Sequence, residues 1–338
     1  MAFGEFIINV DALTGMLTLL QPVALSTENY LMKIDWWQQH FPKGRQTLRI
    51  PDASGREVAI AYGEVGAGRT IVLLHGIGSW SYNWRHNIQP LSQHFRVICV
   101  DAKGYGFSET PPLPEVVGHQ IIEMARVIRA LCDVPVMIAS ESLGALTALA
   151  LAQSDPELVD RLVLINVPVF PRQLPSAGMR SLASIPLPLV EWVDQNQLVR
   201  PFTPIVQYVT QLVRQEVVYD PSQIEEEEIF WLTYPYLYLP GTLTQFAVDL
   251  RLSAQEIDRL QRNQPNLIQS IQDRLPHVTC PTLILWADCD RWFPVENGKL
   301  LDSKLPNSRL QIVPNCGHVA SSGNPDVVNA AIIEHCIY

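Results

Sequence analysis

Three side chains suited to nucleophilic catalysis stand in the order serine, aspartate, histidine. The serine lies in Val136-Met-Ile-Ala-Ser140-Glu141-Ser142-Leu143-Gly144-Ala145, where an apolar run meets small residues around a hydroxyl and then an Ala/Leu-rich stretch. This is how a sharp strand-to-helix turn reads, one that presents a serine hydroxyl above a sheet. The backbone packs tightly at such a turn, so small residues are needed two before and two after the nucleophile. Ser142 has Ser140 and Gly144 there, whereas Ser140 would have Ile138 and Ser142. Ser142 is therefore the candidate.

A serine hydroxyl is a weak nucleophile and needs a base held by a carboxylate. Among eight histidines, His318 has the best context, in Val313-Pro-Asn-Cys316-Gly317-His318 just after a predicted strand. Asp288 and Asp290 follow another predicted strand in Leu283-Ile-Leu-Trp286-Ala-Asp-Cys-Asp-Arg-Trp-Phe-Pro294. One of them can orient His318, and the other is then a turn or cap residue.

The run Ile71-Val-Leu-Leu-His75-Gly76-Ile77-Gly78 ends a strand in glycines that let the backbone turn its N–H groups toward a developing oxyanion. The N–H groups of Ile77 and Leu143 would form that hole, each worth about 3 kcal/mol in the transition state. No G-x-x-x-x-G-K-[ST] phosphate loop is present, and Asp101-x-x-Gly104-x-Gly106-x-Ser108 lacks the third glycine of a dinucleotide fingerprint, so it reads as a structural turn. Glu141 reads most simply as a side chain hydrogen-bonded to polar neighbours. No Cys/His cluster has zinc spacing, and the chemistry requires no metal or organic cofactor.

Positioning these groups requires a sheet. From about Gln46, short apolar runs alternate with helical patterns, which predicts an α/β fold with a mostly parallel sheet. Thr47–Ile50 and Val58–Tyr62 read as leading strands. Ile71–Leu74, Val97–Val100, Val134–Ala139, Leu162–Ile165, Leu283–Trp286 and Leu310–Val313 read as six buried ones, continuous in Val, Ile and Leu. Helices are expected over Val117–Leu131, Ser142–Ala152 and Val327–His335. The alternation stops near Pro171 and resumes near Thr282, leaving a proline-interrupted helical insertion. Within it, Glu225–Glu228 reads as the solvated first turn of a helix. The expected organisation is an N-terminal arm (1–45), a core (46–169 and 277–338) and a helical cap (170–276).

The 338 residues carry 24 Lys+Arg and 34 Asp+Glu, a formal net charge of −10, with 17% charged and 47% hydrophobic residues. A chain this long buries roughly 75% of its unfolded surface, and the apolar content excludes disorder as the main state. The acidic balance and the lack of a basic cluster argue against nucleic acid as a partner. The 26 prolines and 18 glycines exclude a coiled coil. The six cysteines, without C-x-x-C pairs, read as reduced thiols. The first Lys or Arg is Lys33, so no basic n-region of a signal peptide precedes it, and a cytoplasmic location is expected. Asp11, Gly15, Gln21 and Pro22 interrupt Phe6–Leu25; Pro235, Pro240 and Gly241 are expected to break Ile229–Leu250. Neither stretch is expected to span a bilayer. Trp36, Trp37 and Phe41 stand close to Lys33, Lys43 and Arg45, a pattern that fits either peripheral membrane contact or packing against the core.

Together these motifs resemble the α/β-hydrolase fold superfamily over about residues 46–169 and 277–338. Trp286-Ala-Asp-Cys-Asp290-Arg-Trp-Phe-Pro294 is similar to that family's W-G-x-x-D-x-x-x-P, which implies Asp290 as the acid. Asn315-Cys-Gly-His318 followed by Asn324-Pro-Asp resembles its C-terminal G-H…P motif, and Ser142, Asp290, His318 follow its order of nucleophile, acid and base. The resemblance implies an eight-stranded sheet with an inserted cap. His75–Arg96 further resembles bacterial and chloroplast capped hydrolases, including those acting on lipophilic or isoprenoid esters. Ser140, Ala145 and Ala287 depart from frequent family glycines without removing a reacting group. Ser142 argues against dehalogenases and epoxide hydrolases, which use Asp. Val319 stands where carbon–carbon bond hydrolases often carry Trp.

The expectation is a serine hydrolase of small-molecule carboxylic esters. The cap residues Phe170, Leu182, Ile185, Leu187, Leu189, Val190, Trp192, Phe202, Ile205, Tyr208, Phe230, Trp231, Tyr234, Tyr236 and Tyr238 would line a lipophilic pocket or pack the cap's own core. Acyl transfer, carbon–carbon bond hydrolysis and a non-catalytic binding protein are the alternatives. The sequence leaves the oligomeric state open.

Overall fold

Eight strands form one sheet in the order β1-β2-β4-β3-β5-β6-β7-β8 in the computed structural model, which describes residues 35–111, 114–132 and 135–337. The strands are β1 (Gln46–Pro51), β2 (Glu57–Val65), β3 (Thr70–Leu74), β4 (Arg96–Val100), β5 (Val136–Glu141), β6 (Val159–Ile165), β7 (Thr282–Ala287) and β8 (Ser308–Val313). β1, β2 and β4 pair antiparallel, and all other pairs are parallel. Every residue of β5 and β7 is buried, as expected of strands covered on both faces. β8 departs from the expectation of a buried strand. It is an edge strand, buried only at Val313.

Helices α1 (Trp36–His40), α2 (Ile88–Ser92), α3 (His119–Leu131) and α4 (Leu143–Ser154) belong to the first half. Between β6 and β7 lie six α-helices: α5 (Ala177–Ser184), α6 (Leu187–Gln195), α7 (Thr203–Val217), α8 (Glu226–Tyr238), α9 (Thr242–Gln261) and α10 (Leu267–Asp273). α11 (Val295–Lys304), α12 (Ala320–Gly323) and α13 (Pro325–Ile337) complete the chain. α4 is apolar all round and buried along most of its length, from Gly144 to Ala152.

β3 has β4 on one side and β5 on the other, so the connections leave β3 in opposite directions. A crevice opens outside the carboxyl ends of parallel strands at such a switch point. The loop after β3 and the turn after β5 both end there.

Two further expectations are corrected. Pro235 does not break its segment but lies inside α8, and the break falls at Pro240–Gly241. Proline there removes the N–H that would bond the Trp231 carbonyl. The Trp80 indole donates to that carbonyl instead, at 2.9 Å. Glu228 is not solvated: it is buried and pairs with Arg214 at 2.5 Å and Arg85 at 3.0 Å. Of the two readings of Trp36, Trp37 and Phe41, packing against the core holds: all three are buried, with the Trp36 and Trp80 rings 5.0 Å apart. The Phe6–Leu25 stretch and the first 34 residues of the expected arm lie outside the described residues. No helix among the described residues is long and apolar enough to cross a membrane.

Candidate active site

Ser142 sits at the end of β5 with φ 53 and ψ −124, a conformation that L-residues adopt only when their surroundings enforce it. A Cβ on Gly144 would lie 2.4 Å from the His75 carbonyl oxygen, so no other residue fits at this close approach. Ser140, where the family has glycine, is fully buried and donates its hydroxyl to the Val163 carbonyl at 3.1 Å. The extra oxygen is thereby satisfied.

His318 lies between Ser142 and Asp290. Its Nδ1–H donates to Asp290 Oδ2 at 2.8 Å, which leaves Nε2 as the acceptor for the Ser142 hydroxyl at 3.0 Å. The other Asp290 oxygen accepts the N–H groups of Trp292 and Phe293 at 2.8 and 3.0 Å. Asp288 instead accepts the N–H groups of Asn315 and Cys316, both at 3.0 Å, and so fixes the loop that carries the histidine. Burial alone would push the His318 imidazole down. The Asp290 carboxylate, its hydrogen bond and the Glu141 charge outweigh this and hold the ring above its ordinary value.

Ile77 and Leu143 border the same cavity as Ser142. Among the described residues, no acceptor takes either N–H. A Cβ on Gly76 would lie 2.9 Å from the Ser142 Cβ, so the loop after β3 passes directly over the serine. His75 is not a second base. Ala102 N–H donates to its Nε2 at 3.0 Å, its Nδ1 donates to the Gly76 carbonyl at 2.8 Å, and burial lowers its pKa to about 4.

The motif reading missed several supporting groups. Trp292 lies against His318 with ring centres 4.8 Å apart, and its indole donates to Glu216 at 3.3 Å. Asn166 donates to the His318 carbonyl at 2.6 Å and accepts the Ala287 N–H at 2.9 Å. A polar residue immediately after the buried run of β6 was the available signal. Glu141 accepts from Asn83 at 2.6 Å and from Ser321, as its reading from sequence anticipates.

A cavity of about 150 Å³ opens beside Ser142. From the insertion it is lined by aliphatic residues such as Leu174, Met179, Leu250, Ile257 and Ile268. None of the cap residues expected to line a pocket borders it. Phe230, Trp231, Tyr234 and Tyr238 pack against one another, and Ile185, Leu189, Trp192, Phe202, Ile205 and Tyr208 are exposed. The physical reason is that α8 faces Trp80 and Tyr82, while α5 and α9 cover the serine. Asp249, Glu256 and His119 also border the cavity, and no Lys or Arg does so among the described residues.

Glu115, His119 and Glu123 bring metal-type donors together. The Lys103 ammonium already lies 2.7 Å from Glu115 and 2.5 Å from Glu123, so this donor set is occupied by an internal cation.

The model of the family described as the alpha/beta hydrolase fold matches residues 69–325. The 2-hydroxy-6-oxononadienedioate/2-hydroxy-6-oxononatrienedioate hydrolase 2 of Pseudomonas putida is 27% identical over 299 residues, covering 82% of this chain and 91% of that protein. The 2-hydroxy-6-oxo-6-phenylhexa-2,4-dienoate hydrolase of Comamonas testosteroni is 26% identical over 295 residues, covering 85% and 94%. Among solved structures, a thermophilic esterase from Thermogutta terrifontis superposes with a TM-score of 0.66 at 20% identity, covering 86% of this chain and 98% of that one. The meta-cleavage product hydrolase from Pseudomonas fluorescens IP01 gives 0.66 at 21%, covering 86% and 97%. At those identities the likeness establishes the fold.

Proposed function

The chain belongs to the α/β-hydrolase fold family, and on that premise we propose that it is a serine hydrolase acting at the carbonyl of a small, neutral, apolar ester. The observation that carries this reading is the Ser142–His318–Asp290 relay opening into a largely aliphatic cavity that no Lys or Arg borders among the described residues. Ser142 Oγ attacks the carbonyl carbon while His318 Nε2 takes its proton. Asp290 holds the tautomer and stabilises the imidazolium. The N–H groups of Ile77 and Leu143 bind the oxyanion. His318 returns the proton to the leaving alcohol, and water then releases the acid from Ser142. Residues 170–276 act as the cap over a core of 46–169 and 277–338.

Carbon–carbon bond hydrolysis is the second reading, and the relatives' names favour it. A 6-oxo-dienoate holds no ester, so its hydrolysis must break the bond beside the ketone, and the carbon leaving group then takes the proton. Those substrates are carboxylates, and the cavity presents Asp249 and Glu256 with no Lys or Arg among the described residues. His119, the one cationic group at the cavity among the described residues, is already engaged by Asp249 and Glu123, so this charge pattern favours the neutral ester. The 6-phenyl group of the Comamonas testosteroni enzyme's substrate nevertheless matches the volume, since about 150 Å³ holds a benzene-sized group.

The test compares p-nitrophenyl hexanoate, p-nitrophenyl acetate and 2-hydroxy-6-oxo-6-phenylhexa-2,4-dienoate. The hexanoate is expected to give the highest kcat/KM, with a loss of roughly 10⁴-fold or more in Ser142→Ala. Higher kcat/KM on the dienoate would establish the second reading. A folded wild type that neither turns over any of the three nor reacts with a fluorophosphonate would overturn both.

A further inference from the structure

Ten of the sixteen large apolar side chains exposed among the described residues lie between Ile185 and Tyr219, in the insertion. The densest part is α7. Ile205, Tyr208, Val209 and Leu212 recur at three- and four-residue spacing and so share one helix face, continued at its start by Phe202. With Trp192 of α6, these residues are 43–58% exposed. A helix normally turns such a stripe inward. Here the stripe faces out, and the opposite side carries the buried Arg214 and Val217.

We propose that this face of α7, together with Trp192, docks on a lipid surface. Charge is the first reason. Gln195–Val213 holds a single charged residue, Arg200, and no carboxylate, in a chain of net charge −10. Glu191 beside Trp192 is half-buried and Asp194 is buried, so the stretch that carries the α7 stripe brings one cation and no acid of its own, which is compatible with neutral and anionic headgroups alike. Side-chain chemistry is the second. Tryptophan and tyrosine place an apolar ring and a polar tip at a membrane interface, and isoleucine, valine, leucine and phenylalanine reach the acyl boundary.

The same helix reaches the catalytic loops at its other end. The Val217 carbonyl accepts the N–H of Val319, the residue after His318, at 3.4 Å. Glu216 accepts the indole N–H of Trp292, which packs on His318. An interfacial contact along α7 would therefore hold the element that flanks the site, and would bring the aliphatic cavity to the phase in which apolar esters concentrate.

The test is flotation of the full chain with vesicles of phosphatidylcholine alone and of phosphatidylcholine with an equal part of phosphatidylglycerol. The wild type is compared with Ile205→Glu/Leu212→Glu, whose substituted positions are exposed and whose folding is checked by its melting temperature. The wild type is expected to float with both vesicle types, and the variant to lose at least roughly tenfold of that partitioning on each. Equal flotation of the two proteins, flotation of the wild type with the anionic vesicles alone, or no flotation overturns the proposal. So does a wild-type dimer that the same variant turns into a monomer without altering flotation, since a second copy is then the occupant. Flotation needs no turnover, so its outcome stands apart from the hydrolase reading.

Discussion

Ser321 gives both its backbone N–H and its hydroxyl to the Glu141 carboxylate, each at 2.9 Å, and so ties the residue before Ser142 to the helix that follows His318. The bond crosses from the last residue of β5, directly before the serine, to α12, directly after the histidine loop. Glu141 is also a buried negative charge that favours the imidazolium of His318.

Glu141→Gln keeps a similar shape and removes that charge. His318 must be neutral to accept the serine proton, so the acid limb of kcat/KM follows its titration, which lies above the ordinary histidine value in the wild type. The variant is expected to move this limb to lower pH and to lose activity on its plateau. Ser321→Ala breaks the hydroxyl bond but keeps the charge, so its limb should stay in place. A pH–rate profile of each decides. An unmoved limb in Glu141→Gln assigns the carboxylate a structural role alone.

The serine turn tolerates one departure and not another. Ser140→Gly removes only the bond to the Val163 carbonyl, and costs about 1 kcal/mol of stability with activity within a few-fold. Gly144→Ala forces a methyl to within 2.4 Å of the His75 oxygen, so the turn must open. Activity should fall by several orders of magnitude, and fluorophosphonate labelling with it. Urea unfolding and labelling rates measured side by side test the contrast.

Much of this arrangement was legible in the sequence. β3, β5, β6 and β7 announced themselves because strands buried on both faces read as unbroken apolar runs, and Ser142 stood out because only small residues fit around a tight turn. The insertion was legible as helical and apolar but not in which way it faces. Composition gives Trp192 and Phe230 the same meaning, although one is exposed and the other buried. Glu228 read as solvated because its arginine partners, Arg85 and Arg214, are far away along the chain. Pro235 read as a break because nothing local shows that the Trp80 indole takes over the vacated carbonyl.

Lys103 is fully buried with its ammonium 2.7 Å from Glu115, 2.5 Å from Glu123 and 3.9 Å from Asp52. Lys103→Met removes the ammonium nearest Glu115, while Glu123 keeps His119 and Asp52 keeps Arg56. Breaking one side of such a pair costs about 3–5 kcal/mol. The urea midpoint should fall accordingly at pH 8, and less in Lys103→Met/Glu115→Gln, which removes the charge left behind. An equal loss in the single and double variants would mean that the lysine acts through packing alone.

His119 joins α3 to α9: its Nε2 donates to Asp249 at 3.0 Å and its Nδ1 to Glu123 at 3.0 Å. Burial opposes the charged ring, but the two carboxylates outweigh it and raise the pKa to about 10. In the unfolded chain the ring titrates near its ordinary value of about 6.5. Because the folded value is the higher one, the stabilisation is fully present below about pH 6.5 and is lost as the pH rises through about 10. Asp249 borders the cavity beside Ser142, so the tie fixes one wall of the site. Asp249→Asn removes the charge that holds the ring protonated. Its stability deficit relative to wild type should be large at pH 7 and should shrink toward pH 10, where the wild type loses the same interaction. Urea unfolding of both proteins at the two pH values measures this difference. A constant deficit would show that His119 is neutral throughout and that Asp249 acts through its bonds to Tyr105, Gln120 and Gln245.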